Sequence, residues 1–324
     1  MQEVMKKRAI ELLTSGEVAR VIGWTAGEFA YDATPAIFET AEEIEKDFVY
    51  DDFTAANVSK YLLRVKTLEG KTLVFLKPCD TYSLNQLTAE KRIDREKVYV
   101  IGVGCEGKAD VEKIKARGIS GIVGIEADGD NYTVKTVYGD ETVAKADVMA
   151  DRCITCKSKK LASYDEIIGE DGEEIANCGR FDLVEKLEQM TSEERFEFWQ
   201  GELSRCIRCN ACRNVCPACT CEQCVFDNPK SGIAQKAAAD SFEEKMFHII
   251  RAYHVAGRCT DCGECSRVCP EHIPLHLLNR KFIKDMDELY GEYQAGDNED
   301  VKHPLISFTF DDAEPSIVRE RGAE

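Results

Sequence analysis

The densest chemistry in this sequence is Cys206-x2-Cys209-x2-Cys212-x3-Cys216-Pro217, and the same spacing returns as Cys259-x2-Cys262-x2-Cys265-x3-Cys269-Pro270. Thiolates are soft ligands suited to zinc and to iron-sulfur clusters. Three of them at x2 intervals on a tight loop fit three corners of one cubane, and the fourth, after x3 and before proline, points away to the other cluster. The spacing therefore predicts two [4Fe-4S] clusters with crossed ligation. Cys206, Cys209, Cys212 and Cys269 would hold one, and Cys259, Cys262, Cys265 and Cys216 the other. The rival is a pair of structural zinc sites, which use paired Cys-x2-Cys knuckles and seldom need this many x2-spaced cysteines.

Composition limits what surrounds the motifs. Sixteen cysteines in 324 residues, without an export signal, read as metal ligation or redox chemistry rather than a disulfide scaffold. No apolar run reaches membrane-spanning length, and the start MQEVMKKRAIELLTSGEVARV lacks the uninterrupted apolar core of a secretory signal, so a cytoplasmic protein is expected. A net charge of -18 argues against nucleic acid, whose affinity comes from clustered Lys and Arg. Proteins and small molecules are the expected partners.

Two kinds of element must position the cysteines. Between the motifs, Phe242, Met246, Ile249, Ile250 and Tyr253 mark one face of a helix, and after Pro274 so do Leu275, Leu278, Phe282, Ile283, Met286 and Leu289. Both helices are expected to pack around the clusters. This arrangement resembles the α-helical ferredoxin domain of succinate dehydrogenase iron-sulfur subunits and of heterodisulfide reductase C-type subunits. Before residue 150 the order is βαβα: LVFL, SLNQLTAEKRI, VYVIGVG and KADVEKIKARG, ending at Gly118. That order predicts an α/β core with a partly parallel sheet. A hairpin region follows, with turns at Asp128-Gly129-Asp130 and Gly139-Asp140.

The second of those strands runs into Gly102-x-Gly104-x-x-Gly107, the spacing of a dinucleotide cradle, and Glu126 and Asp128 stand near the distance expected of a ribose-binding acid. Cys105 sits inside the loop, however. Cysteines also follow the first strand, at Cys79, and the hairpin region, at Cys153 and Cys156.

Taken in order, LKPCDTYSL, VIGVGCEG, CITCKSKKLASYDEIIGED and CIRCNACRNVCPACTC resemble the coenzyme F420 hydrogenase/dehydrogenase beta-subunit family, over about residues 60 to 180. The resemblance implies an α/β N-terminal domain (1–180) with one cluster on Cys79, Cys105, Cys153 and Cys156, joined to an α-helical ferredoxin-type dicluster domain (181–290). The tail, 291–324, is read as partner-docking or flexible. Cys178, Cys219, Cys221 and Cys224 then remain as a fourth set, for a cubane or a zinc, with buried packing thiols as the alternative. Family members that reduce F420 bind FAD, which would lie near Gly102, Gly104 and Gly107 here, although no flavin-contacting set is matched residue by residue. His248, His254, His272 and His276 could hydrogen-bond to cluster sulfurs, but helix packing is the expected role of each. Trp24 and Trp199 read as core or interface residues, and the charge run 41–46 as a solvated helix face.

No acid-base pair or nucleophile-base arrangement stands out, so the cysteines carry the expected function. That function is an iron-sulfur electron-transfer subunit of a cytoplasmic multi-subunit oxidoreductase, itself a non-catalytic carrier. As the resemblance implies, it would connect a flavin-bearing NAD(P)H, F420, formate or hydrogen module to a heterodisulfide-reductase-like or other terminal module, as in electron-bifurcating complexes of anaerobes. The alternatives are an FAD-containing subunit that performs hydride transfer itself, and a zinc-stabilised scaffold.

Overall fold

The computed structural model describes residues 1–228, 230, 241–300 and 302–307, with the backbone alone at 241–244; the side chain of Phe242 and the tail beyond residue 307 lie outside the described residues. The apolar runs of the N-terminal half build a five-stranded sheet from β1 (Arg20–Thr25), β2 (Thr34–Phe38), β3 (Thr72–Leu76), β4 (Val98–Val103) and β8 (Glu166–Ile168), in the order β2-β1-β3-β4-β8. β2 runs antiparallel to β1, and the remaining pairs are parallel. β3 is buried at every residue, as expected of a central parallel strand covered on both faces. Helix Gln2–Thr14 closes part of one face by burying Met5, Ala9 and Leu12, one side of a helix at steps of four and three. Neither this helix nor β1, β2 and β8 stood out in the sequence.

The sheet has a direct consequence for the cysteines. Leu76 of β3 pairs with Gly102 of β4, and Cys79 and Cys105 each lie three residues beyond that pair. Because the strands are parallel, both thiols arrive at the same carboxyl edge, where open α/β sheets hold their ligands. Helix Pro78–Ala89 starts earlier than SLNQLTAEKRI suggested, since Pro78 occupies the first helical position, where its missing N–H costs nothing. The hairpin region is a separate antiparallel sheet of β5 (Ile122–Asp128), β6 (Asn131–Thr136) and β7 (Gly139–Ala144). Its second turn falls at Val137-Tyr138 rather than Gly139-Asp140, because Thr136 pairs with Gly139 across a two-residue loop.

The C-terminal half is helical. Helices Asp182–Gln189, Ser192–Leu203, Ser241–His254 and His276–Tyr290 surround the two cysteine motifs, which themselves carry only short turns of helix, Ala211–Val215 and Glu264–Arg267. The existence of the two long helices follows the apolar periodicity, but their buried faces do not. On Ser241–His254 the buried side chains are Phe247, His248, Arg251 and Ala252, while Tyr253 is 63% exposed. On His276–Tyr290 they include Leu277, Asn279, Arg280, Ile283 and Met286, while Leu289 is 73% exposed. Polar residues occupy both inner faces.

Buried ion pairs join the halves. Arg152 pairs with Glu264 and donates to the carbonyls of Cys262 (2.9 Å) and Ala55 (2.7 Å). Asp261 takes both Arg180 (2.7 Å) and Arg280 (2.9 Å). Burial pushes the Glu264 carboxyl up, but Arg267 and Arg152 outweigh it and hold the group down to about 2. Gly263 has φ +67°, and a Cβ there would meet Arg152 Cβ at 2.8 Å, so only glycine lets the stem of that side chain pass this closely. Glu264→Gln keeps the shape but strands Arg152. A loss of about 3–5 kcal/mol is expected, read as a lower denaturant midpoint under anaerobic conditions, since removing one partner leaves a buried charge uncompensated.

Candidate metal centres

Cys79, Cys105, Cys153 and Cys156, which come from three separate points of the N-terminal half, line one cavity of about 50 Å³. That is room for more than one water-sized body. Cys79 comes from the start of helix Pro78–Ala89, Cys105 from the loop after β4, and Cys153 from the short helix Asp151–Ile154. Cys156 follows at once, its Sγ 3.1 Å from the carbonyl of Ser158. In a chain of net charge -18, seven basic side chains line this cavity; Lys77 is paired with Asp80, Arg152 with Glu264, and Arg180 and Arg280 with Asp261, while Lys108, Lys157 and Lys159 add further positive charge to the wall. Four thiols with a cationic wall suit an anionic, thiolate-ligated group. Burial pushes the thiols of Cys79 and Cys156 up, so such a group would have to displace their protons on binding.

The glycines of the loop after β4 are closely packed by other segments of the chain. A Cβ at Gly102 would strike Leu161 at 2.6 Å, one at Gly104 the carbonyl of Glu170 at 2.5 Å, and one at Gly107 the Met149 side chain at 2.8 Å. All three glycines make room for the chain's own segments. The helix after the loop, Val111–Ala116, has its N-terminal amides capped by Asp110.

In the helical half, Cys206, Cys209, Cys212 and Cys269 line a second cavity, of about 20 Å³, so the last cysteine of the second motif stands with the first three of the first. The reverse crossing has an electrostatic signature. The charge of Cys216 acts on Cys259, Cys262 and Cys265 alike. Burial pushes Cys212 up to about 11, whereas a hydrogen bond from Cys219 brings Cys216 down to about 6. Cys262 also lines the first cavity, so the strand-end set and the Cys259 set meet there.

Two polar side chains from helix Ser241–His254 reach these sets. His248, 1% exposed, places Nε2 3.2 Å from Cys206 Sγ. Burial, and then Arg251 and Arg208, bring the imidazole down to about 3, so it is neutral and can donate Nε2–H to the sulfur. Among the described residues, Arg251, 2% exposed, has no hydrogen-bond partner of ordinary geometry at Nε, Nη1 or Nη2, with the Cys265 thiol near it. The charges that act on it are those of Cys265, Cys212, Cys216 and Cys219. A buried guanidinium without a carboxylate fits a site completed by an anionic group. Apolar periodicity gave no sign of Arg251, and His248 was read there as a packing residue.

The leftover cysteines divide. Cys219, Cys221 and Cys224 line an open cavity of about 750 Å³ together with Lys60, Arg213 and Arg251. Cys178 is not in that wall. It is carried between Ile175, whose N–H donates to the carbonyl of Lys157 (2.7 Å), and Arg180, on the strand-end cavity. Among the described residues, no three Cys, His, Asp or Glu side chains converge closely enough for a single metal ion. Nor is any helix there long and apolar enough to cross a membrane.

Residues 202–273 match the family described as a 4Fe-4S dicluster domain. Outside that stretch too, the chain is similar to known proteins. It is 23% identical over 336 residues to the F420-dependent formate dehydrogenase subunit beta of Methanocaldococcus jannaschii, covering 86% of this chain and 88% of that one. With the F420-dependent formate dehydrogenase 1 subunit beta of Methanococcus maripaludis it shares 24% over 276 residues, 66% of this chain and 71% of that one. The chain is a homologue of these beta subunits and carries a 4Fe-4S dicluster domain. A chain of the xenon-derivatised F420-reducing [NiFe] hydrogenase complex of Methanosarcina barkeri superposes with a TM-score of 0.41 at 16% identity, over 57% of this chain and 72% of that one, too loosely to carry an argument.

Proposed function

We propose that the chain is the iron-sulfur electron-transfer subunit of a cytoplasmic multi-subunit oxidoreductase, with F420 or formate chemistry at a partner module as in its homologues' names. One observation carries this reading: Cys79, Cys105, Cys153 and Cys156 share one cavity wall, Cys206, Cys209, Cys212 and Cys269 share another, and Cys262 of the remaining set lines the first. A [4Fe-4S] cluster, when bound, supplies a one-electron centre. The chain's own residues do the rest. Cys79, Cys105, Cys153 and Cys156 would hold the first cluster, Cys259, Cys262, Cys265 and Cys216 the second, and Cys206, Cys209, Cys212 and Cys269 the third. Arg152 fixes the loop between the first two by holding the Cys262 carbonyl. His248 donates to Cys206, and a hydrogen bond to a cluster sulfur favours the reduced state. Cys219, Cys221 and Cys224 are proposed as part of a fourth site.

A second reading is favoured by the basic wall of the strand-end cavity and by the F420 dependence in the homologues' names. In it, the N-terminal half holds FAD and exchanges hydride itself. Iron, sulfide and flavin analysis of anaerobically purified protein tests both readings. The electron-transfer reading expects about twelve iron atoms per chain, or about sixteen with a fourth cubane, and no flavin released on denaturation. Stoichiometric FAD with coenzyme-driven dye reduction would establish the second reading, and fewer than about eight iron atoms would overturn the dicluster assignment.

A further inference from the structure

Cys219, Cys221 and Cys224 share the wall of the open cavity, and no cysteine is left to join them. All sixteen cysteines of the chain lie among the described residues, and none of the other thirteen lines that wall. Three thiols can hold three corners of a cubane, as the first three of each ferredoxin motif do, but the fourth iron must then find its ligand elsewhere. The cavity is prepared for negative charge. Its wall carries Lys60, Arg64, Arg213, Arg251 and Arg258. Arg213 is paired with Asp227 (2.7 Å) and Arg258 with Glu90 (2.6 Å), whereas among the described residues no carboxylate pairs with Lys60, Arg64 or Arg251. Arg251 decides the matter, because it is 2% exposed and, apart from the nearby Cys265 thiol, its nitrogens have no partner of ordinary geometry there. A guanidinium buried in this way fits a cavity completed by an anion. A single zinc ion fits less well, since no three donors converge on one point. The same is true of the sets assigned to cubanes, whose corners stand wider apart than the ligands of one ion.

We propose that Cys219, Cys221 and Cys224 hold a fourth [4Fe-4S] cluster by three irons only, and that its fourth iron faces the open cavity and takes a small anion from solution. The inference deepens the proposed function and rests on its reading of the chain as an iron-sulfur protein. A corner without a thiolate is open to ligand exchange, as the free position of a catalytic zinc is. Lys60 and Arg251 offset the charge that the cluster and its anion bring into the wall. The open corner is also where this cluster gives way first. With a one-electron oxidant such as ferricyanide, [4Fe-4S]2+ gives up one electron, ferricyanide becomes ferrocyanide, and the fourth iron leaves as Fe2+. The bonds that break are those from sulfide to that iron, and [3Fe-4S]+ stays on the three thiolates. His254 lines the same wall, and its imidazole is the competing fourth ligand.

The test is metal analysis and EPR of the full chain, purified anaerobically, before and after mild ferricyanide oxidation, in the wild type, Cys221→Ala and His254→Gln. Cys221 is exposed, so its truncation should not disturb the fold. Wild type is expected to start at about sixteen iron atoms, to lose about one as a three-iron EPR signal appears, and to regain it with ferrous iron and reductant. Cyanide added to the reduced protein should alter one EPR signal. Cys221→Ala should start at about twelve iron atoms, with no three-iron signal and no response to cyanide, while His254→Gln behaves as wild type. About twelve iron atoms in the wild type, with or without one zinc, would overturn the proposal, as would a three-iron signal that persists in Cys221→Ala. A wild type that keeps all its iron through oxidation or ignores cyanide would overturn it too, and iron loss confined to His254→Gln would then give the fourth corner to imidazole. In each of these cases the about twelve iron atoms of the other sets stand, and the electron-transfer reading with them. Fewer than about eight would instead strike at the cluster assignment itself.

Discussion

Replacing Cys269 with alanine should empty the site of Cys206, Cys209 and Cys212, forty residues and more away in sequence, and spare that of its neighbours Cys259, Cys262 and Cys265. The expectation follows from which thiols share a wall. Cys269 lines the same cavity as Cys206, Cys209 and Cys212, while Cys216 acts electrostatically on the other three. Loss of one cubane removes about four iron atoms per chain. The effect should extend to stability, because cluster binding contributes folding free energy and each cluster would tie the first motif to the second. Two tied points become one, so Cys269→Ala should also bring earlier unfolding than its small change in volume would suggest. Mössbauer or EPR spectra resolving the clusters individually provide the check. Selective damage to the Cys259, Cys262 and Cys265 centre would mean that each motif closes on itself, and the crossed assignment would be wrong.

The parts of this molecule that were legible in sequence are those in which a single residue type does one job at fixed spacing. The two Cys-x2-Cys-x2-Cys-x3-Cys-Pro runs are of this kind, and Cys206, Cys209, Cys212 and Cys269 line one cavity. β3 and β4 were legible because a covered parallel strand is a continuous apolar run. β2 was not, since an edge strand with mixed exposure carries Pro35 and no clean alternation, and three-residue β8 is too short to show a period. The helix Ser241–His254 failed in a more instructive way. Its length and type were readable, but the side turned inward carries His248 and Arg251, which apolar periodicity assigns to solvent. They are inside because their partners are thiols contributed by distant segments, and periodicity contains no information about those. The glycine loop is a case where spacing alone leaves the reason for a residue open. Gly102, Gly104 and Gly107 satisfy a nucleotide spacing, and in the structure a Cβ at each would also crowd Leu161, the Glu170 backbone or Met149. Cys178 was grouped with Cys219, Cys221 and Cys224 by counting, and it does not line the cavity those three share.

Cys262→Ala should leave the two outer clusters in place while breaking the contact between them. Cys262 is the thiol that belongs to the middle set and also lines the strand-end cavity, and its carbonyl is held by Arg152, whose other contacts reach Ala55 and Glu264. The backbone at this point is fixed from both halves, so removing the thiol alone should not let the loop move away. With one of four ligands gone, the middle centre is lost and iron falls by about four atoms per chain. The Cys79 set and the Cys206 set share no cavity wall with each other. In fully reduced wild-type protein, neighbouring paramagnetic clusters broaden and split one another's EPR signals. In Cys262→Ala the two survivors should give separate, uncoupled signals, and electrons placed on one should equilibrate with the other far more slowly. Persistent coupling between the survivors would mean that the outer centres lie side by side, and the linear order from strand edge to helical domain would have to be abandoned.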